Sequence, residues 1–195
     1  MFVPLARLFR RRPDASGVRR RLRAAGGGVP TDDERGLAAQ LLALKREMAA
    51  ATGEVGSCAS CAGGLPWPRG AYAGGDCCSG LADNVFSDDE VAALALTGTR
   101  PRDLVEPPRD DAQAGCVFRG ARGCTLDVDD RPSVCVRYAC TRLQRELARL
   151  GRLDRTEAIA RELGTTLVAF TAAHEARTGR EWADRELAAI EKSLR

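Results

Sequence analysis

Thr31-Asp32-Asp33-Glu34-Arg35-Gly36-Leu37-Ala38-Ala39-Gln40-Leu41-Leu42-Ala43-Leu44-Lys45-Arg46-Glu47-Met48 reads as the opening of a long amphipathic helix. Thr31 and Glu34 stand three residues apart. At that spacing each side chain can satisfy an exposed backbone amide of the other, the reciprocal arrangement called a capping box. Leu37, Leu41, Leu44 and Met48 then recur every three or four residues and form one apolar stripe. Gly53 follows as a residue able to end the helix in a left-handed conformation.

The same pattern returns further along. Ser87-Asp88-Asp89-Glu90 is a second capping-box signature, opening a short helix with Val91, Leu94 and Ala95 inward and Gly98 as its stop. Thr141-Arg142-Leu143-Gln144 is a third, with Leu143, Leu147 and Leu150 as its stripe and Gly151 after it. From Asp154 to about Arg177, Ile159, Leu163, Leu167 and Phe170 share one face. Gly179 is expected to separate that helix from a last one striped by Ala183, Leu187, Ile190 and Leu194. Alternating strand patterns are few. The fold expected is mainly α.

Between the first two helices, residues 54–80 are rich in Gly and Cys and contain Pro66-Trp67-Pro68, which predicts irregular chain. Residues 99–115 carry Pro101, Pro107 and Pro108 among charges and read as a surface loop. Ahead of Thr31, residues 1–30 hold eight arginines against Asp14 alone, whereas residues 31–195 hold 22 basic and 26 acidic side chains. A basic, disordered arm over 1–30 and a single helical domain over 31–195 are therefore expected. Met1–Phe9 is interrupted by Pro4 and Arg7, so it lacks the apolar core of a secretory signal, and a cytoplasmic location is expected. Residues 1–23 also have the Arg-rich, intermittently apolar character of a segment that can lie on an anionic membrane surface. No apolar run is long enough to span a bilayer. The net charge of +3 and the 5% aromatic content give no clear nucleic-acid signal.

Most of what the sequence says about function lies in the cysteines, which are Cys58, Cys61, Cys77, Cys78, Cys116, Cys124, Cys135 and Cys140. Cys58-x2-Cys61 has the spacing at which two thiolates can grip one ion through a tight turn. Cys77-Cys78 sits in a Gly-rich run, and Cys116 and Cys124 each follow a glycine directly. Glycine lets the backbone fold closely around a centre. Four disulfides are the competing account of eight cysteines. A chain of 195 residues does not need such staples, and disulfides belong to oxidising compartments. A thiol–disulfide pair at Cys58 and Cys61 would need a strand–helix setting that this Gly-rich loop does not supply. With a single histidine, His174, a multi-histidine metal site is excluded, and His174 itself, on the Leu163, Leu167 and Phe170 face, is expected to be a packed or partly exposed residue and not a ligand. Asp88-Asp89-Glu90 and Asp127, Asp129 and Asp130 are expected to cap and turn the chain rather than bind a cation. Neither a phosphate-loop motif nor a nucleophile-elbow motif occurs.

Cys135 and Cys140 pose a question of geometry. Five residues of helix turn the chain through about 140° beyond a full revolution, so one unbroken helix would aim the two sulfurs apart. Val134, Val136 and Tyr138 favour an extended or turning path, and a break is expected near 138–141, with Cys140 just ahead of the next helix.

Taken together, Cys58-x2-Cys61, the Cys77-Cys78 doublet, Cys116-Val117-Phe118, Gly123-Cys124-Thr125-Leu126 and Arg131-Pro132-x2-Cys135-x2-Tyr138-x-Cys140 resemble the CxxCxxCC, or YkgJ-type, cysteine-cluster family. The resemblance covers about residues 58–140. Fifteen residues separate Cys61 from Cys77, where the compact family pattern has a short gap. The resemblance implies a zinc- or iron-chelating domain, with all eight cysteines as metal ligands. Zinc and an iron–sulfur cluster both accept four thiolates and leave a net-negative centre. Arg119, Arg122, Arg131 and Arg137 lie close in sequence to offset that charge.

The architecture expected is thus a small helical domain with an irregular cysteine-rich metal-binding centre. The function expected is a metal-binding protein holding zinc or an iron–sulfur cluster, with a structural, metal-handling or partner-binding role toward another protein. The alternative is an enzyme that uses a cysteine-bound iron–sulfur cluster for redox chemistry or protein modification.

Overall fold

The Thr31 capping box forms as the sequence dictates, in a computed structural model that describes residues 15–25, 28–57, 85–107, 116–120 and 123–193. Thr31 Oγ1 accepts from the Glu34 amide at 3.1 Å, and Glu34 Oε2 accepts from the Thr31 amide at 2.7 Å. The helix so opened runs over Asp32–Thr52 and ends at Gly53, whose φ of 60° lies in the left-handed region. In chain order the helices are α1 (Ser16–Ala25), α2 (Asp32–Thr52), α3 (Asp88–Leu96), α4 (Ser133–Arg137), α5 (Thr141–Arg149) and α6 (Leu153–Ser193). Two short strands, β1 (Arg119–Gly120) and β2 (Gly123–Cys124), pair antiparallel, with Arg119 opposite Cys124. A 3-10 turn covers Val128–Asp130. The mainly α expectation holds. No helix among the described residues is long and apolar enough to cross a membrane.

The centre of the fold is α3, which is short and apolar on two faces. Val91 and Leu94 pack with Phe86, Leu104, Phe118 and Leu126 in one core. Ala92 and Ala93 face a second core built from Ala38, Leu41, Leu44 and Met48 of α2 and Ile159, Leu163 and Phe170 of α6. The small alanines let the long α2 and α6 approach α3 closely. Gly98, with a φ of 98°, lies just past the C-cap of α3, as its position in the sequence suggested.

Three features differ from the sequence-based expectation. Residues 16–25 are not a solvated arm: they form α1, and Ala15, Val18 and Leu22 are buried in the Phe86–Phe118 core. The stripe of Val18 and Leu22 is only two residues long within a run of arginines, too short to register as a periodic pattern. Arg19 adds to the docking by donating to Leu104 O at 2.6 Å and pairing with Glu106 at 3.0 Å. Residues 1–14 lie outside the described residues. Secondly, α6 runs through Gly179 without a break. One glycine inside a helix costs only about 1 kcal/mol. Here the Thr178 hydroxyl bonds back to the His174 carbonyl at 2.9 Å within the unbroken helix. Thirdly, Leu150 and Leu187 are exposed rather than parts of buried stripes.

A buried ionic cluster fastens α6 to the start of α2. Glu34 is fully buried, and both its oxygens accept from Arg177 Nε, at 2.9 and 2.8 Å. Arg177 also reaches Glu181 at 2.7 Å. His174 Nδ1 lies 3.0 Å from Glu34 Oε1, and its ring stacks on Phe170 with centroids 5.8 Å apart. His174 is therefore part of the packed helical face, as expected. Burial works to raise the Glu34 pKa, but the Thr31 amide, Arg177 and His174 outweigh it and hold the carboxyl down at about 2.

Two outcomes follow from this frame. Leu22→Ala should lower stability by about 3 kcal/mol in denaturant melts, the usual cost of emptying a leucine site in a core, whereas Arg20→Ala on the exposed side should not. The depressed Glu34 pKa contributes stability above the unfolded value of 4.5 that is lost as pH falls through about 2. The native chain should therefore exceed Glu34→Gln by on the order of 3 kcal/mol near neutrality, and acid melts should show that gap closing between pH 4.5 and 2.

Candidate cysteine site and the clamp beside it

The loop leading to Cys135 is bound to the helical frame at successive residues. Arg131 Nε donates to Leu126 O at 2.9 Å, closing the turn on itself. Lys45 on α2, only 3% exposed, donates from Nζ to the carbonyls of Asp129 at 2.6 Å and Arg131 at 3.0 Å. Its neighbour Arg46 grips the Asp129 carboxylate with two bonds of 3.0 and 2.7 Å. Asp130 accepts from the Thr99 hydroxyl at 2.7 Å. Glu90 on α3, also buried, accepts from the Ser133 hydroxyl at 3.1 Å and the Val134 amide at 3.4 Å. The Arg131-Pro132-x2-Cys135 segment thus sits between α2 and α3, held by two buried charged groups.

Burial dominates both groups. Loss of hydration pulls the Lys45 pKa down to about 8, although the charges of Glu90, Asp129 and Asp130 oppose that fall. Burial likewise raises Glu90, despite the hydrogen bonds from Ser133 and the charge of Lys45. For each, desolvation outweighs the attraction of its surroundings, as is usual for charges withdrawn from water.

The sequence marks neither residue as a clamp on this loop, yet it carries signals for both. Lys45 falls between Leu41 and Met48 on the apolar stripe of α2, and it is one of only two lysines in the chain. Glu90 was read as the return arm of a capping box. Ser87 Oγ does accept from the Glu90 amide at 3.2 Å, but the Glu90 carboxylate turns away to Ser133 and Val134. Asp127 does cap its turn as expected, accepting from the Asp129 amide at 3.4 Å.

The cysteines fall into groups. Cys58, Cys61, Cys77 and Cys78 lie outside the described residues. Cys116 precedes β1 and Cys124 is the last residue of β2: the Arg119 amide donates to Cys116 O at 3.0 Å, and Cys124 lies opposite Arg119 in the register. Both pack against the core around Phe118. Cys135 is on α4, and Cys140 is the N-cap of α5 in an extended conformation (φ −67°, ψ 160°). The break expected near 138–141 is present, because α4 ends at Arg137. The chain at Val134 and Val136 is nonetheless one turn of helix rather than extended, started by Pro132 and anchored by Glu90. The third capping box does not form: the helix begins one residue early, with Thr141 already in its first turn.

All four described cysteines are half-buried. Among the described residues, no group of three or more His, Cys, Asp or Glu side chains is gathered closely enough to hold a metal ion. A complete thiolate set would draw on Cys58, Cys61, Cys77 or Cys78. Glu146 on α5 has a bearing on this, because its two oxygens accept from the amides of Gly56 and Ser57, each at 2.8 Å. The chain therefore enters the Cys58-x2-Cys61 segment from a point fixed to the helix that Cys140 caps. Of the arginines proposed to offset a negative centre, Arg131 is engaged with Leu126 O, Arg119 is buried on β1, and Arg137 lines a recess of about 360 Å³ with Glu157 and Arg161. Arg122 lies outside the described residues.

Comparison with family models, curated proteins and solved structures finds no match to this chain.

The depressed Lys45 pKa gives a signed outcome. The unfolded chain holds the Lys45 proton up to 10.5 and the folded chain only to about 8, so stability rises with pH across that window and is lost as pH falls through 8. Denaturant melts of the native chain should gain on the order of 3 kcal/mol over that range relative to Lys45→Met, in which this slope is absent. Lys45→Met should also speed amide exchange at residues 129–136, because two loop carbonyls lose their donor.

Proposed function

We propose that this chain is a metal-binding protein whose cysteines coordinate zinc or an iron–sulfur cluster in a structural, metal-handling or partner-binding role. The observation that carries the reading is the convergence of two anchored chain segments on α5. Glu146 ties down Gly56 and Ser57, directly ahead of Cys58, while the N-cap of the same helix is Cys140. A nine-residue helix is only about 14 Å long, so the entrance to Cys58-x2-Cys61 and the sulfur-bearing end of α5 belong to one small region. Cys135 stands five residues before Cys140 on a segment held by Lys45 and Glu90. This is the segment that carries the most specific part of the resemblance to the YkgJ-type cysteine-cluster family.

The donor chemistry suits the group. Half-buried thiols are shielded enough to bind a soft metal and open enough to receive one. Cys58, Cys61, Cys135 and Cys140 form one four-thiolate set on this reading, and Cys77, Cys78, Cys116 and Cys124 supply the remainder. Bound metal would order the cysteine loops, which have little apolar periodicity of their own. The second reading, an enzyme with a cysteine-bound iron–sulfur cluster, draws on the recess beside Arg137, whose volume of about 360 Å³ falls in the range of small-ligand sites.

Protein purified without oxygen should carry at least one equivalent of zinc or iron by elemental analysis. Cys61→Ser and Cys135→Ser should each lower metal content by about half or more and reduce the melting temperature, while α2 and α6 keep their helical signal. A visible absorption band that bleaches on reduction would select iron–sulfur over zinc. Folded protein with substoichiometric amounts of both metals would refute the proposal.

A further inference from the structure

Arg19 and Arg23 stand one helical turn apart, and opposite them the chain leaving α3 presents Arg100 and Arg102. Together with Val105 and Glu106 they line an open recess of about 690 Å³. The acidic groups nearby are already engaged. Glu106 accepts from the Ala15 amide at 3.2 Å and pairs with Arg19 at 3.0 Å. Asp103 accepts from the Arg100 amide at 2.7 Å and lies 3.8 Å from Arg102 Nε. Among the described residues, no carboxylate pairs with the guanidinium of Arg23 or Arg100, and both side chains are exposed at the recess.

We propose that this recess binds a phosphate-bearing ligand, with Arg23 and Arg100 as its principal contacts. Two guanidiniums without a carboxylate partner among the described residues match the charge of a phosphomonoester, about −1.5 to −2 at neutral pH, whereas a single carboxylate would leave one unmatched. The planar fork of arginine donors suits phosphate oxygens in pairs. Arg19, fixed by Leu104 O and Glu106, is a pre-set wall and not a free contact. The volume exceeds that of a lone phosphate and lies in the range of small-molecule sites, and Val105, 58% exposed, offers an apolar surface to the body that carries the phosphate. The same chemistry is presented by a soluble phosphomonoester and by the headgroup of a phosphatidic acid membrane. The site is separate from the cysteines and stands whether or not they bind metal.

The full-length chain would be titrated calorimetrically with inorganic phosphate and with adenosine monophosphate, and assayed by sedimentation with phosphatidylcholine vesicles with and without phosphatidic acid. Saturable binding of either soluble probe, or of the phosphatidic acid vesicles alone, is expected, and which of them binds identifies the source of the phosphate. Arg23→Ala and Arg100→Ala should each weaken that binding at least tenfold with unchanged melting temperature. Arg20→Ala, which removes the same charge from α1 outside the recess, should leave it unaltered. Absence of saturable binding to all probes overturns the proposal, as does binding that Arg20→Ala weakens as much as Arg23→Ala and Arg100→Ala do.

Discussion

A lysine ammonium withdrawn from water in the middle of α2 is the constraint around which the cysteine-bearing half of this fold is arranged. Lys45 sits where an apolar residue would complete the stripe of its helix, and its charge must be met by oxygen atoms. The carbonyls of Asp129 and Arg131 meet it directly. Glu90 adds a negative charge from α3 and spends its hydrogen bonds on Ser133 and Val134. Leaving any one of these groups unpartnered in the interior would cost about 1–3 kcal/mol or more, so the loop is confined to the one path that satisfies all of them. The arrangement favours a unique geometry more than raw stability, since the shifted pKa values of Lys45 and Glu90 both record a desolvation cost.

A second buried charge, Glu34, does comparable work at the start of α2, with the opposite balance. Its carboxylate is met by an amide, a guanidinium and an imidazole, and the gain exceeds the cost of burial. The result is to set α6 along α2 at a defined height, because Arg177 and His174 can reach Glu34 from only one register. Between these two polar fixtures the packing is apolar and, by itself, would tolerate sliding. Glu34 near one end of α2, with the Arg152 bond to Thr52 O and the Arg155–Glu47 pair near the other, thus sets the position of α6 along α2.

This frame presents the ends of cysteine-rich chain at chosen places. Glu146 fixes residues 56 and 57, the Lys45–Glu90 clamp fixes residues 129–134, and the hairpin fixes Cys116 and Cys124 against Phe118. On another surface Glu106 and Leu104 O hold the Arg19 guanidinium still beside the exposed Arg23 and Arg100.

Periodicity and capping chemistry were enough to place α2, α3, α5 and most of α6, because the Leu41–Met48 and Ile159–Phe170 stripes and the glycine stops at Gly53, Gly98 and Gly151 are local properties of the chain. The break before Cys140 was also legible, from helical geometry alone. The cysteine spacing raises the expectation of a metal site, and Cys58, Cys61, Cys77 and Cys78 lie outside the described residues. What sequence did not determine is where long-range partners spend their hydrogen bonds. Glu90 had a good local partner in Ser87 and took distant ones, Ser133 and Val134, because they are brought to it in an interior without water. Lys45 gave no sign of its carbonyl partners, which lie 84 and 86 residues away. Val18 and Leu22 looked like stray apolar residues in a basic arm until α3 supplied a core for them. Local propensity decides where helices begin and end. Only the tertiary structure decides which buried charge meets which backbone, because desolvation makes any unmet polar group too costly to keep.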